Sequence, residues 1–92
     1  MAWFYLLRLE SGAFYAGATR DLERRYREHS SGNGCRTTQI DPPVELAHSE
    51  ELESYETALR REAQVKGWTR AKKEALAAGD LQRLKQLARR RN

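Results

Sequence analysis

The chain has 92 residues, of which 39% are hydrophobic and 33% charged, and its formal net charge is +4. This length fits one small domain, and no apolar run approaches the roughly 18 residues that a membrane span needs. Cys35 is the only cysteine, which excludes a disulfide framework and a cysteine-based metal site and favours a reducing, cytoplasmic location. No secretory signal is predicted at the N-terminus.

The positive charge is concentrated near the C-terminus. Residues 1–79 contain 12 basic and 12 acidic residues, whereas residues 80–92 contain five basic residues and one acid. We therefore expect a main domain over 1–79 and a basic C-terminal helix or tail over 80–92. Segregated charge of this kind points toward a polyanionic partner, and a solubilising pattern on exposed helices is the alternative.

The N-terminal segments predict a β-hairpin. Residues 3–9 and 13–18 are short, aromatic and strand-like, and Ser11-Gly12 between them supplies a turn. This arrangement places Tyr5 and Tyr15 in neighbouring strands.

A helix is predicted over about 20–30, with Thr19 as its cap. Helical spacing gathers packing and functional residues on one side and turns Arg24 outward. The residues on that side are Leu22, Arg25, Tyr26 and His29. A polar loop is expected from 30 to about 41, followed by a third strand at 44–48.

The next predicted helix, over 52–66 with Ser54 as its cap, carries an acid on its apolar side. At about 100° per residue, Glu62 falls within about 20° of Tyr55. A carboxylate that faces the core is costly unless it is paired or binds a metal. Two interpretations stay open, namely a pair with an arginine or tyrosine hydroxyl, or a divalent-cation ligand. The apolar stripe consists of Leu52, Tyr55, Ala58, Leu59 and Ala63.

Thr69 is predicted to cap a further helix that ends at Gly79, and residues 80–90 can form a last one. Trp68 is interpreted as a plug between helices rather than a platform for a base. Cations in the first helical turn oppose the helix dipole, and a bound phosphate would reverse that penalty. The first turn after Thr69 holds three cations, namely Arg70, Lys72 and Lys73. These side chains either bind phosphate or are simply solvated.

Taken in order, these segments resemble the GIY-YIG endonuclease superfamily from about residue 3 to residue 76. The first motif is Trp3-Phe4-Tyr5, with tryptophan where glycine is usual, and the second is Tyr15-Ala16-Gly17. The matching residues downstream are Asp21-Leu22-Glu23-Arg24-Arg25, His29, the helical segment that contains Glu62, Trp68 and Arg70. The resemblance implies an α+β fold, with a three-stranded antiparallel sheet flanked by helices.

The resemblance also implies a divalent-metal-dependent endonuclease that hydrolyses DNA phosphodiester bonds with Mg²⁺ or Mn²⁺. Its expected setting is DNA repair or recombination, with branched or damaged DNA as substrate. By family position, Glu62 would hold the metal and Arg25 would stabilise charge on the phosphate. Tyr5 would activate the attacking water, and Tyr15 and His29 would complete the site. The residues expected to contact nucleic acid are Arg24, Lys66, Arg70, Lys72 and Lys73.

The identity of the general base stays open. A tyrosine with a pKa near 10 is only about 0.1% ionised at pH 7, so Tyr5 can act as a base only if a cation lowers its pKa. His29 titrates closer to neutrality and is the rival. The alternative to catalysis is a weakly active or inactive nucleic-acid-binding or protein-interaction module on the same fold.

Overall fold

The structure is a computed structural model that describes residues 1–89, so residues 90–92 of the predicted tail lie outside the described part. Three strands and five helices follow one another along these residues. They are β1 (Ala2–Leu9), β2 (Phe14–Thr19), α1 (Leu22–Ser30), α2 (Arg36–Ile40), β3 (Pro43–Leu52), α3 (Tyr55–Lys66), α4 (Arg70–Ala78) and α5 (Leu81–Arg89). None of the helices in this part is long and apolar enough to cross a membrane.

The sheet confirms the predicted α+β architecture. Its strand order is β2-β1-β3, and both pairings are antiparallel. The central strand sets Tyr5 opposite Gly17 of β2 and opposite Ser49 of β3. The third strand is longer than the predicted 44–48, because its pairing with β1 continues to Leu52.

The central strand is buried on both faces of the sheet. Phe4 and Leu6 point to one face, where they pack with Val65 of α3 and Leu76 of α4. Tyr5 lies on the other face, in a cluster with Leu7, Leu9, Tyr15, Leu22 and Tyr26. Alternate residues of one strand therefore serve two cores, and Tyr5 belongs to the core that α1 covers.

The helix caps are confirmed with one exception. Ser54 and Thr69 each accept a hydrogen bond from a backbone amide in the first turn, as predicted for α3 and α4. The predicted Thr19 cap of α1 is wrong. Asp21 is the cap, and its carboxylate accepts from the Arg24 amide at 3.1 Å. Thr19 instead accepts from the Asp21 amide at 3.1 Å, which holds the chain just before the helix.

The predicted loop over 30–41 contains an unexpected short helix, α2. The predicted start of α3 at residue 52 is also wrong, because Leu52 ends β3. Within α3 the buried residues are Ala58 and Val65, whereas Leu59 is 42% exposed. Leu59 is therefore on the solvent side, because α3 contacts the sheet through a face centred nearer to Ala58.

Candidate active site

A buried series of hydrogen bonds joins β1, α1 and α2. The Tyr5 hydroxyl lies 3.0 Å from His29 Nε2, and His29 Nδ1 lies 2.8 Å from Thr38 Oγ1. The Thr38 hydroxyl donates to the Cys35 backbone carbonyl at 3.1 Å. Tyr5, His29 and Thr38 are 2%, 0% and 1% exposed, so these bonds are shielded from water. We call this arrangement the Tyr5–His29–Thr38 chain.

The direction of the Tyr5–His29–Thr38 chain follows from its far end. A threonine hydroxyl has one proton, and that of Thr38 is given to the Cys35 carbonyl. Thr38 Oγ1 therefore accepts from His29 Nδ1–H, and in a neutral imidazole this leaves Nε2 without a proton. His29 Nε2 then accepts the proton of the Tyr5 hydroxyl. Sequence reasoning missed Thr38, which it left in a polar loop.

Two glycines make room for the Tyr5–His29–Thr38 chain. A side chain at Gly17 would overlap with the ring and hydroxyl of Tyr5 on the neighbouring strand. At Gly34, a Cβ would come within 2.5 Å of His29 Nδ1 and 2.9 Å of Thr38 Oγ1. Gly17 therefore allows the close approach of the Tyr5 side chain, whereas the role of Gly34 gave no sequence signal.

Tyr15 completes the aromatic wall of the site, as its predicted strand position required. Its ring meets that of His29 edge to face, with centroids 5.2 Å apart, and lies 6.5 Å from the Tyr5 ring. Burial, followed by hydrogen bonding with the Cys35 thiol, raises the pKa of Tyr15 well above its ordinary value. Tyr15 is thus neutral at physiological pH and suited to hydrogen bonding rather than to proton abstraction.

Arg25 lies at the open side of the tyrosine pair, in agreement with its predicted inward phase. Its guanidinium is 3.0 Å from the Glu28 carboxylate, and its side chain is 32% exposed. Arg24 is 71% exposed and reaches the same carboxylate at 3.4 Å. Hydrogen bonding with Glu28, reinforced by a contact with the Tyr5 hydroxyl, raises the pKa of Arg25. Arg25 is therefore a permanent cation, and Glu28, which the sequence did not single out, orients it.

Burial and the charge of Arg25 shift the pKa of Tyr5 in opposite directions, whereas both lower the pKa of His29. Burial raises the pKa of Tyr5, although the nearby Arg25 guanidinium pulls that pKa down. Burial lowers the pKa of His29, and the charge of Arg25 lowers it further. His29 is consequently neutral near pH 7, which is the state that accepts a proton from Tyr5.

Glu62, the predicted cation ligand, lies on α3. Its side chain is 20% exposed, and it pairs with Lys66 one turn later at 3.2 Å. The expected alternative of an arginine or tyrosine partner is wrong, because the observed partner is this lysine. The charge of Glu62 makes a small contribution to the raised pKa of Tyr5, after burial and the nearer groups.

The donor set around Glu62 fits a hard divalent cation that keeps most of its water. Within residues 1–89 no three His, Cys, Asp or Glu residues cluster as a metal cage. Mg²⁺ is commonly held by one or two carboxylates, with water and substrate phosphate supplying the other ligands. A single carboxylate whose partner, Lys66, is 62% exposed can meet that requirement once the lysine turns away.

The five residues expected to contact nucleic acid do not form one patch. Arg24 and Lys66 are exposed on two different helices, α1 and α3. Arg70 is 63% exposed and donates to the Gly12 carbonyl at 3.0 Å. Lys73 is half-buried and Lys72 is buried, so the latter is not the solvated side chain that its place in the first turn of α4 suggested.

Comparison with known proteins shows relatives over most of the chain. Residues 1–75 match the family model described as the GIY-YIG catalytic domain. The chain is 42% identical over 72 residues to a UPF0213 protein of Halobacterium salinarum, covering 78% of this chain and 94% of that protein. A UPF0213 protein of Klebsiella pneumoniae is 38% identical over 81 residues, covering 87% and 76% respectively.

A solved structure also resembles this fold. The solution NMR structure of a UPF0213 protein from Bacillus halodurans superposes with a TM-score of 0.55 and 36% identity, covering 87% of this chain and 86% of that one. The fold and the site thus define a nuclease-type catalytic domain. The chain belongs to the GIY-YIG family, as the order of its motifs predicted, and its relatives there are small UPF0213 proteins.

Proposed function

We propose that the protein is a divalent-metal-dependent endonuclease that hydrolyses phosphodiester bonds of DNA. The observation that carries the proposal is the shielded hydrogen bond from Tyr5 to a neutral His29, with the Arg25 guanidinium at its open side. A tyrosine hydroxyl buried against an oriented imidazole and beside a permanent cation fits a catalytic role better than a purely structural one. Family membership supports the same class of activity.

Tyr5 and His29 would act together in one proton transfer, so they are not alternative bases. The Tyr5 oxygen donates its proton to His29 Nε2 and keeps lone pairs that can accept a proton from an attacking water. As the water attacks phosphorus, its proton would move to Tyr5 while the proton of Tyr5 moves to His29. The concerted transfer avoids a tyrosinate, which burial disfavours, and leaves His29 as an imidazolium, because Nδ1 keeps its own proton. Since burial also disfavours that imidazolium, His29 would return the proton through Tyr5 to the leaving oxygen or to solvent after cleavage.

Arg25 would stabilise the negative charge that builds on the phosphate. Its planar guanidinium matches phosphate oxygens, and Glu28 holds it at 3.0 Å in the orientation seen here. Tyr15, neutral and beside His29, would hydrogen bond to water or phosphate.

Glu62 would hold the cation, Mg²⁺ or Mn²⁺, after giving up its pair with Lys66. When bound, such an ion supplies Lewis-acid stabilisation of the phosphate and of the leaving oxygen. We place the activity in the cytoplasm, where the sole Cys35 would stay reduced. DNA repair or recombination is the proposed setting, with branched or damaged DNA as the substrate to test first.

The test compares two neighbouring arginines that share the Glu28 carboxylate. Arg25→Ala should lower the cleavage rate by about 10²–10³, the usual cost of removing a charge-stabilising donor. Arg24→Ala removes the same charge from an exposed side chain and should be the milder change. Cleavage of branched and nicked DNA is measured with Mg²⁺, with Mn²⁺ and with chelator.

Equal losses in the two variants would contradict the role given to Arg25, since a general effect of charge would then suffice. Salt-sensitive binding without cleavage would favour the catalytically weak nucleic-acid-binding module. Neither cleavage nor binding would favour a protein-interaction role for the same fold.

A further inference from the structure

A second groove lies on the face of the sheet opposite to the tyrosines. It has a volume of about 670 Å³ and runs between the end of α3, α4 and α5. Trp68 and Leu84, which line it, pack on the core that contains Phe4 and Leu6, whereas Tyr5 belongs to the core on the other face. None of the residues predicted to act in catalysis lines the groove.

The walls of the groove are basic and apolar. Arg61, Lys72 and Lys85 line it, and none of the described residues that line it is acidic. Trp68, Leu81 and Leu84 supply an apolar surface. Arg61 and Lys72 come from residues 1–79, which as a whole contain as many acids as bases, and Lys85 comes from the basic C-terminal segment.

Lys72 is the unusual member of this lining. It is 7% exposed, and its ammonium lies 4.6 Å from the centre of the Trp68 ring. Within residues 1–89 it has no ion-pair partner and its ammonium has no hydrogen-bond partner, whereas Arg61 is held by the Glu50 carboxylate at 3.0 Å. The Lys72 ammonium is open to the groove, since no buried side-chain nitrogen without a hydrogen-bond partner occurs within residues 1–89, and an anion that enters the groove would gain a charge partner there.

We propose that this groove binds a single-stranded segment of nucleic acid, with one phosphate at Lys72 and a base against Trp68 and the leucines. The volume suits one nucleotide and is too small for a duplex. An anion site is inferred from the three cations that line the groove and from the lack of an acid among its described lining residues. The choice of nucleic acid as the anion rests on the proposed function, because a nuclease must hold strand beyond the bond that it cuts.

The test measures binding in chelator, so that cleavage does not enter. Trp3→Phe leaves Trp68 as the only tryptophan and makes its fluorescence report on the groove. In that background, single-stranded oligothymidylate should change the Trp68 emission. Lys72→Met should weaken binding at least 10-fold and reduce the log–log salt slope by about 0.7, the value for one phosphate contact on a single strand.

Arg60→Met is the matched control, because Arg60 is 75% exposed on α3 and lies outside the groove. It should bind oligothymidylate as the parent does, and Lys72→Arg should retain most of the binding. Thermal unfolding of each variant checks that the fold is kept. Equal binding by Lys72→Met and Arg60→Met, or tighter binding of a duplex of the same length, would overturn the proposal.

Two further measurements separate this proposal from the proposed function. Inorganic phosphate that displaces the oligonucleotide only at concentrations far above those of the oligonucleotide would support a nucleic-acid site, and equal potency would overturn it in favour of a simple anion site. Binding through Lys72 without any DNA cleavage would leave the groove standing and refute the nuclease. Cleavage that persists while the groove binds nothing would do the reverse.

Discussion

Replacement of Thr38 by valine tests the direction of the Tyr5–His29–Thr38 chain. Valine has nearly the same shape but no hydroxyl, so His29 Nδ1–H would lose its partner in a site that is 0% exposed. An unpaired buried donor costs about 1–3 kcal/mol. The imidazole can avoid part of this cost by moving its proton from Nδ1 to Nε2. Nε2 can then no longer accept the proton of Tyr5.

Two measurements on Thr38→Val follow from this reasoning. The nitrogen chemical shifts of the His29 imidazole should report a larger share of the Nε2–H tautomer. Single-turnover cleavage should fall by about 10²–10⁴, the range for losing a positioned acid–base group, with the free energy of unfolding lowered by no more than about 3 kcal/mol. A merely structural role for Thr38 would lower stability without changing the tautomer.

The neighbouring threonine supplies the control. Thr37 is exposed on the same helix, so Thr37→Val makes the same chemical change outside the site. Thr38→Ser keeps the hydroxyl and should restore both the tautomer and the rate. A Thr38→Val protein with the parental tautomer and the parental cleavage rate would refute the assignment of Nε2 as the acceptor.

Three further predictions concern other parts of the site. Glu62→Gln should abolish metal-dependent cleavage yet change the unfolding free energy in chelator by less than about 1 kcal/mol, because the partner of Glu62 within residues 1–89 is an exposed lysine; a large loss of stability with activity intact would end its metal role. Gly17→Ala should destabilise the fold by about 1–3 kcal/mol through overlap with Tyr5, whereas Gly67→Ala, with no neighbour nearer than 3.7 Å, should not, as urea unfolding would show. Burial lowers the pKa of His29, so as the pH falls the unfolded chain binds a proton at His29 before the folded chain does. The contribution of His29 to the unfolding free energy should therefore be complete above a pH of about 6.5 and decline as the pH falls below that value. This decline should vanish in His29→Gln.

Much of the fold could be predicted because its signals are local. Alternating aromatic strands and a Ser-Gly turn predicted the hairpin, and the caps at Ser54 and Thr69 predicted two helix starts. The predicted cap of α1 was wrong because Thr19 and Asp21 are both acceptable cap residues. The choice depends on where β2 ends, and β2 includes Thr19, which leaves Asp21 as the cap. The length of β3 depended on its pairing with β1, which no local pattern contains.

The candidate site was predictable where helical or strand phase decides orientation. Phase placed Arg25 and His29 inward and Arg24 outward, as the structure has them. Thr38 was out of reach, because a five-residue helix in a polar segment gives no periodicity from which to read a buried face. The predicted arginine or tyrosine partner of Glu62 was also wrong. Whether Glu62 pairs with the lysine one turn away or with a more distant arginine depends on the folded geometry, which the sequence does not give.

The position of Glu62 in the chain has a consequence for biosynthesis. The tyrosines, Arg25, His29 and Thr38 all lie within residues 5–38, whereas Glu62 on α3, the proposed cation ligand, comes 24 residues later. A ribosome adds that stretch in about 1 to 5 s. We therefore expect a nascent chain to possess the residues that handle the proton before it possesses the one that would bind the cation, and to stay harmless to nucleic acid until α3 has left the ribosome and docked on β2.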